Sequence, residues 1–191
     1  MNSPREVMKH KDQRVGVFVD VQNMYYSAKN LYGSKVNFGN ILKTAVAGRQ
    51  LIRAIAYVIR ANNPEEQKFF EALSYQGFEV KMKDLQVFAS GIRKGDWDVG
   101  IAMDAIRLSQ KLDAIVLVSG DGDYVPLIEY LRNHGQYVEV VAFGESASHK
   151  IIEEADEFKD LSKEKETYLL LLAKRPSGSG HASSRSDHNL E

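Results

Sequence analysis

The chain has 191 residues, no cysteine, 43% hydrophobic and 27% charged residues, and a formal net charge of −1. That length and composition fit one globular domain with appended sequence, and the missing cysteines exclude a disulfide framework and a thiolate metal site. The balanced charge excludes a global basic field toward nucleic acid, and the absence of a long apolar span or an apolar N-terminal segment leads us to expect a cytoplasmic protein with no membrane partner.

Residues 1–14 are polar and read as a flexible arm. Val15-Gly16-Val17-Phe18-Val19-Asp20 is an apolar run that ends in an acid, as expected of a strand buried on both faces. Helical patterns follow over 21–33 and 38–47, and residues 51–59 form a second buried strand ending at Arg60. Asn63-Pro64-Glu65-Glu66 opens a helix to about residue 76: Asn caps, Pro suits the first turn and acids favour the positive end of the dipole. A third strand is expected at 78–83 and a short extra strand or extended loop at 85–89. A Gly- and Lys-bearing loop at 90–96 precedes a helix over 98–111. Residues 114–119 form the fourth strand, 124–134 a helix, 137–143 the fifth strand, 146–155 a helix and 157–161 a sixth, edge strand. Strands alternating with helices at this spacing imply right-handed crossovers and a mostly parallel sheet in a three-layer α/β/α sandwich. The domain is expected over 15–161, a C-terminal apolar-faced helix over 162–174 that hints at a homodimer, and a disordered Pro/Ser/Gly/His-rich tail over 175–191.

The chemistry gathers where the strands leave the sheet. The run Ile115–Val118 stops at Ser119-Gly120-Asp121-Gly122-Asp123-Tyr124. In open α/β sheets ligands bind at the carboxyl ends of the strands, so two such strands side by side bring Asp20, Asp121 and Asp123 together. Carboxylates that close need protonation or a cation. Asp98 begins a helix at the same edge and faces the pocket, with plain capping as its bland alternative. Asp123 as a helix cap and Asn23 as a turn residue are the corresponding alternatives for those two. Asp96 lies nearer the exposed loop. Asp104 is roughly 9 Å down the helix axis and reads as a supporting residue rather than a ligand. Ser119 reads as a hydroxyl holding a carboxylate, or as a turn residue.

Lys94, Arg93, Arg60, Lys83 and Lys81 are candidates for phosphate contacts, and Tyr25, Tyr26 and Trp97 for stacking on bases, with a solvated surface or ordinary packing as the alternatives. Ser146 and Ser148 could touch a phosphate or cap a helix. An all-oxygen donor set suits Mg²⁺ or Mn²⁺, and phosphodiester hydrolysis with water as attacking group is the natural reaction.

Phe18-Val19-Asp20-Val21-Gln22-Asn23, the Lys94-Gly95…Asp98-Val99…Asp104 segment and Ser119-Gly120-Asp121-Gly122-Asp123-Tyr124…Pro126-Leu127 together resemble an NYN domain of the LabA-like branch, within the PIN-like nucleases. The resemblance spans about residues 15–161. It implies a sheet of order 3-2-1-4-5 and a Mg²⁺- or Mn²⁺-dependent endoribonuclease acting on RNA. The family's acidic cluster maps onto Asp20, Asp98, Asp121 and Asp123, with Asn23 assisting and Asp104 matching a further acid of the motif. The alternative is a regulatory binding module that keeps the fold; an aspartyl-phosphate phosphatase is disfavoured because Asp20-Val21-Gln22 lacks a second acid.

Overall fold

The computed structural model describes residues 9–60, 64–87 and 93–170. Strand β1 (Arg14–Asp20) is the axis of the fold. It pairs in parallel with β3 (Gln50–Arg60) on one side and β7 (Ala114–Val118) on the other. Outward from these, β4 (Glu79–Asp84) pairs with β3, β8 (Tyr137–Ala142) with β7, and β9 (Glu157–Asp160) with β8, all parallel. The sheet order is β4-β3-β1-β7-β8-β9, which is the expected order with the edge strand added.

A strand shows alternate side chains to opposite faces. Val15, Val17 and Val19 therefore enter one core, beneath α1 (Val21–Tyr32), α2 (Phe38–Val46) and α3 (Pro64–Tyr75). Phe18 enters the other, beneath α4 (Asp98–Ser109), α5 (Val125–Asn133) and α6 (His149–Glu154). β7 divides the same way, with Val116 and Val118 on the first face and Ile115 and Leu117 on the second. Two covered faces explain why neither strand alternates with polar residues. Asp20 shares the parity of Phe18, which turns its carboxylate toward the α4 and α5 layer.

Three expectations are corrected. Over the described part of the helix expected at 162–174 the chain does otherwise: a 3-10 turn at Leu161–Glu164 leads to one helical turn, α7 (Lys165–Tyr168), and then strand β10 (Leu169–Leu170). β10 pairs antiparallel with β2 (Lys35–Val36). Tyr168 is buried against α2, its hydroxyl 3.1 Å from that of Thr44, and its carbonyl accepts from Asn37 N at 2.7 Å. A short leucine run suits helix and strand alike, and a free edge at β2 decides between them. The apolar face that hinted at a dimer thus partly packs on its own chain. Residues 171–191 lie outside the described residues.

The helix expected from Ser146 begins only at His149, because Ser146 and Ala147 form a turn on the Phe143 carbonyl. The arm is tied down from Lys9 onward. Lys9 pairs with Glu139 and Glu157 at 2.9 and 2.7 Å, and Gln13 is buried with its side chain accepting from Arg49. Residues 1–8 lie outside the described part. The extra strand is a hairpin of β5 (Gln86–Val87) and β6 (Arg93–Lys94). No described helix is long and apolar enough to cross a membrane.

Candidate functional site

β1 and β7 run parallel in register, Val19 opposite Val118, so the residues that follow them emerge side by side at one edge. Asp20 closes β1 and caps α1, its Oδ1 accepting from Asn23 N at 3.0 Å. Past β7, Ser119 is fully buried and its Oγ accepts from Asp121 N at 3.2 Å. Asp121 caps a 3-10 turn over Gly122–Tyr124 by accepting from Asp123 N at 3.0 Å. The Asn23 amide oxygen accepts from Gly120 N at 3.0 Å and so latches the start of α1 to this turn.

Gly120 is required by close approach: a Cβ there would stand 3.0 Å from the Ala147 backbone. The Gly120 carbonyl accepts from Ser148 N at 2.9 Å, which fixes the 146–148 turn against the acids. α4 runs back across the sheet, so its first residue, Asp98, lies at the same edge. Asp98, Asp121 and Asp123 each offer a carboxylate oxygen within 4.8 Å of the others.

Asp20 joins this group through a residue that sequence reasoning treated only as the start of a helix. The buried Tyr124 hydroxyl lies 3.2 Å from Asp20 Oδ2 and 3.1 Å from Asp98 Oδ1. It has one proton and two acceptors. Burial, with the charges of Asp20 and Asp98, pushes its ionisation far above the ordinary tyrosine value, so the O–H remains a donor. The only sequence signal was a tyrosine directly after a two-acid turn, and its aim depends on the 3-10 phase of that turn.

Burial is the main cause that raises Asp20, to about 6; the Asn23 N–H opposes it and the charges of Asp98 and Asp121 reinforce it. Asp98 is raised too, by burial first, then against the Tyr124 hydrogen bond by Asp121, Asp96 and Asp123. None of the four acids pairs with a Lys, Arg or His among the described residues. Oxygen donors alone, several and anionic, fit a hard divalent cation of the Mg²⁺ or Mn²⁺ type.

The other candidates are placed as follows. Asp104 accepts from Tyr57 Oη at 2.9 Å and from Lys81 Nζ at 2.7 Å. Burial would raise it, but Lys81 and Tyr57 together hold it below the usual carboxylate range. Its partners are thus a lysine and a tyrosine rather than the rim acids, although Tyr57 packs on Trp97, beside Asp98. Lys83 reaches the Asp96 carbonyl at 3.0 Å and lies over the Trp97 ring. Arg60 is paired with Asp84 at 2.7 Å. Arg93 and Lys94 form β6, and their side chains lie outside the described residues.

A cleft of about 360 Å³ opens at the acids, lined by Asp20, Asp98 and Asp121, by Asp96 and Trp97 on one side, and by α1 on the other. Gln22, Tyr26, Ser27 and Asn30 make much of that α1 wall. Of these, sequence reasoning singled out only Tyr26; a four-residue period counted forward from Gln22 reaches Asn30, and one counted from Asn23 reaches Ser27.

A family model of the NYN domain matches residues 14–162. The chain belongs to the NYN domain family. This NYN domain is 28% identical over 164 residues to the low amplitude and bright protein LabA of Synechococcus elongatus, covering 81% of this chain and 87% of that one. It is 29% identical over 137 residues to an uncharacterised protein of Methanocaldococcus jannaschii, covering 68% of this chain and 48% of that one. A crystal structure of a protein of unknown function from Vibrio parahaemolyticus is similar in fold, with a TM-score of 0.77 at 33% identity, covering 86% of this chain and all of that one. NYN domains are PIN-like, so the acidic cluster stands in a fold of the nuclease class.

Proposed function

We propose that this NYN domain is a divalent-metal-dependent endoribonuclease. One observation carries the reading: three carboxylates within 4.8 Å of one another, at the carboxyl edge of a nuclease-class sheet, with no protein cation paired to them among the described residues. Like charges so close cost free energy unless something positive arrives. Asp98, Asp121 and Asp123 would hold Mg²⁺ or Mn²⁺, with Asp20 completing the set. When bound, such an ion neutralises charge on the phosphoryl oxygens and makes water acidic enough to attack phosphorus.

The chain's own residues do the positioning. Asp20 and Asp121 are held in place by backbone N–H groups, and Asn23 and Ser119 hold the turn that carries Asp121. Tyr124 keeps its proton and steadies Asp20 and Asp98 against their mutual repulsion. Lys83, Arg93 and Lys94 are proposed to meet the phosphates on the flanking side, and Arg60 does so only by leaving Asp84. Asp96 and Asp104 support the start of α4 through Lys83 and through Tyr57 against Trp97.

The test is cleavage of RNA with Mn²⁺ or Mg²⁺ against EDTA. Asp121→Asn removes a ligand charge and should lower turnover by about a hundredfold or more, since the ion supplies several kcal/mol. Equal cleavage by wild type and Asp121→Asn, or cleavage that survives EDTA, refutes the proposal.

A further inference from the structure

The cleft changes chemistry along its length. At one end it is anionic, with Asp20, Asp98 and Asp121; along α1 it becomes neutral, with Gln22, Tyr26 and Asn30. These three recur every four residues and so form one stripe down the helix. A helix face in open solvent normally carries charges, and this one carries two amides and a phenol. Neither amide side chain nor the Tyr26 hydroxyl has a hydrogen bond to another described residue, and Tyr26 is 49% exposed. Lys29, the one cation carried by α1, lies instead over the Tyr25 ring. The stripe is continuous with the acidic end through Asn23, whose neighbour Gln22 lines the same cleft.

We propose that this wall is a nucleobase subsite: it binds the base of one unpaired nucleotide adjoining the phosphodiester held at the acids. The inference rests on the hydrolase reading for what lies at the acids, and adds that the substrate is single-stranded. A space of about 360 Å³ has room for one base with its sugar. Amides donate and accept at once, which matches base edges, and those edges are free only in an unpaired strand. The half-exposed Tyr26 ring supplies a face on which a base stacks at little ordering cost. The neutrality of the wall also matters. A wall of lysines would hold phosphate and ignore the base, whereas this wall leaves phosphate to the acids' cation and contacts what is uncharged.

The experiment measures binding without turnover, by fluorescence anisotropy of labelled RNA on the Asp121→Asn chain in Mg²⁺. In that background Tyr26→Ala should weaken binding of a single strand by about tenfold, and Gln22→Ala with Asn30→Ala by a comparable factor. All three positions are on an exposed or half-exposed helix face, and unchanged thermal melting checks that the variants fold. A strand with abasic positions should bind weakly and lose nothing further on substitution, and duplex RNA should behave likewise. A DNA strand of the same sequence should lose the same factor, because the contact is to the base. Equal binding by parent and variants, equal binding of abasic and intact strands, or no saturable binding of single strands overturns the subsite. The two readings fail separately. A wild-type chain that cleaves nothing while the variants lose binding keeps the subsite and sinks the hydrolase; cleavage and binding both indifferent to the variants do the reverse.

Discussion

Both ends of the central sheet withdraw carboxylates from water, and the two ends treat them oppositely. At the amino edge Glu139, on β8, is 4% exposed and meets Arg49, itself 5% exposed. The Arg49 guanidinium donates to both Glu139 oxygens, to Gln13 Oε1 and to the carbonyls of Ala45 and Val46, and Lys9 adds a second cation. Every charge there has its opposite within the chain. At the carboxyl edge Asp20 and Asp98 find, among the described residues, only a shared tyrosine proton and, for Asp20, one backbone N–H. The first arrangement is closed and holds the fold together; the second is open, with no counter-charge among the described residues. Burial of an acid is therefore no sign of function by itself. The sign is burial without an internal counter-charge.

The largest effect should come from opening the closed end. Arg49→Met takes both guanidinium hydrogen bonds from buried Glu139 and leaves it only the more exposed Lys9 as counter-charge, which costs about 3–4 kcal/mol, toward the lower end for breaking a buried pair. Urea unfolding should show it, and adding Glu139→Leu should recover most of the loss because neither charge then remains. If Arg49→Met is as stable as the parent, the contrast between the two edges is not one of charge compensation.

Next in size is the pH dependence of the open end in EDTA. Asp20 is raised to about 6 in the fold, against an ordinary value of 3.8. Between those values the folded state binds more protons than the unfolded chain, so stability is full below about 4 and falls as pH rises through 6. The loss is roughly 3 kcal/mol at 1.36 kcal/mol per unit. Asp98 acts in the same direction, while Asp104 and Asp160, lowered in the fold, act oppositely. The measurement is thus the difference between wild type and Asp20→Asn in urea unfolding from pH 4 to pH 7. A difference that does not change with pH denies the strain at this edge. Saturating Mg²⁺ should flatten the curve, because a cation favours the ionised form.

How far each edge can be read from sequence follows from what it is made of. β1 and β7 announce themselves as unbroken apolar runs, and acids placed where such runs stop point to the carboxyl edge. The Arg49–Glu139 pair leaves no such mark: Val138-Glu139-Val140 reads as an alternating strand with a solvated acid, and Arg49 follows a glycine 90 residues earlier. Tyr124 is equally silent, since its reach toward two acids is a matter of turn geometry. The late start of α6 goes with the turn on the Phe143 carbonyl, which the bond from Ser148 N to the Gly120 carbonyl, distant in sequence, fixes in place. Leu169 and Leu170 were misread because the free edge of β2, not their own periodicity, makes them a strand. Local pattern carried what is local, and long-range charge pairing and edge pairing lay beyond it.

The smallest effect is the most discriminating for the open end. Tyr124→Phe removes a single O–H shared by two acids while keeping the ring that packs in the core. A shared hydrogen bond to charged groups contributes about 1 kcal/mol to stability, which urea unfolding in EDTA should register. Groups that orient ligands typically matter for metal affinity by about 10–100-fold, and one proton divided between two carboxylates belongs at the lower end of that range. Calorimetric titration with Mn²⁺ should therefore show roughly tenfold weaker binding, with the number of ions bound unchanged. Mn²⁺ affinity equal to wild type would mean that the caps of α1 and of the 3-10 turn already aim the acids, and that the hydroxyl only eases their repulsion before the ion arrives. In that case stability alone changes, and the open edge owes its shape to backbone N–H groups.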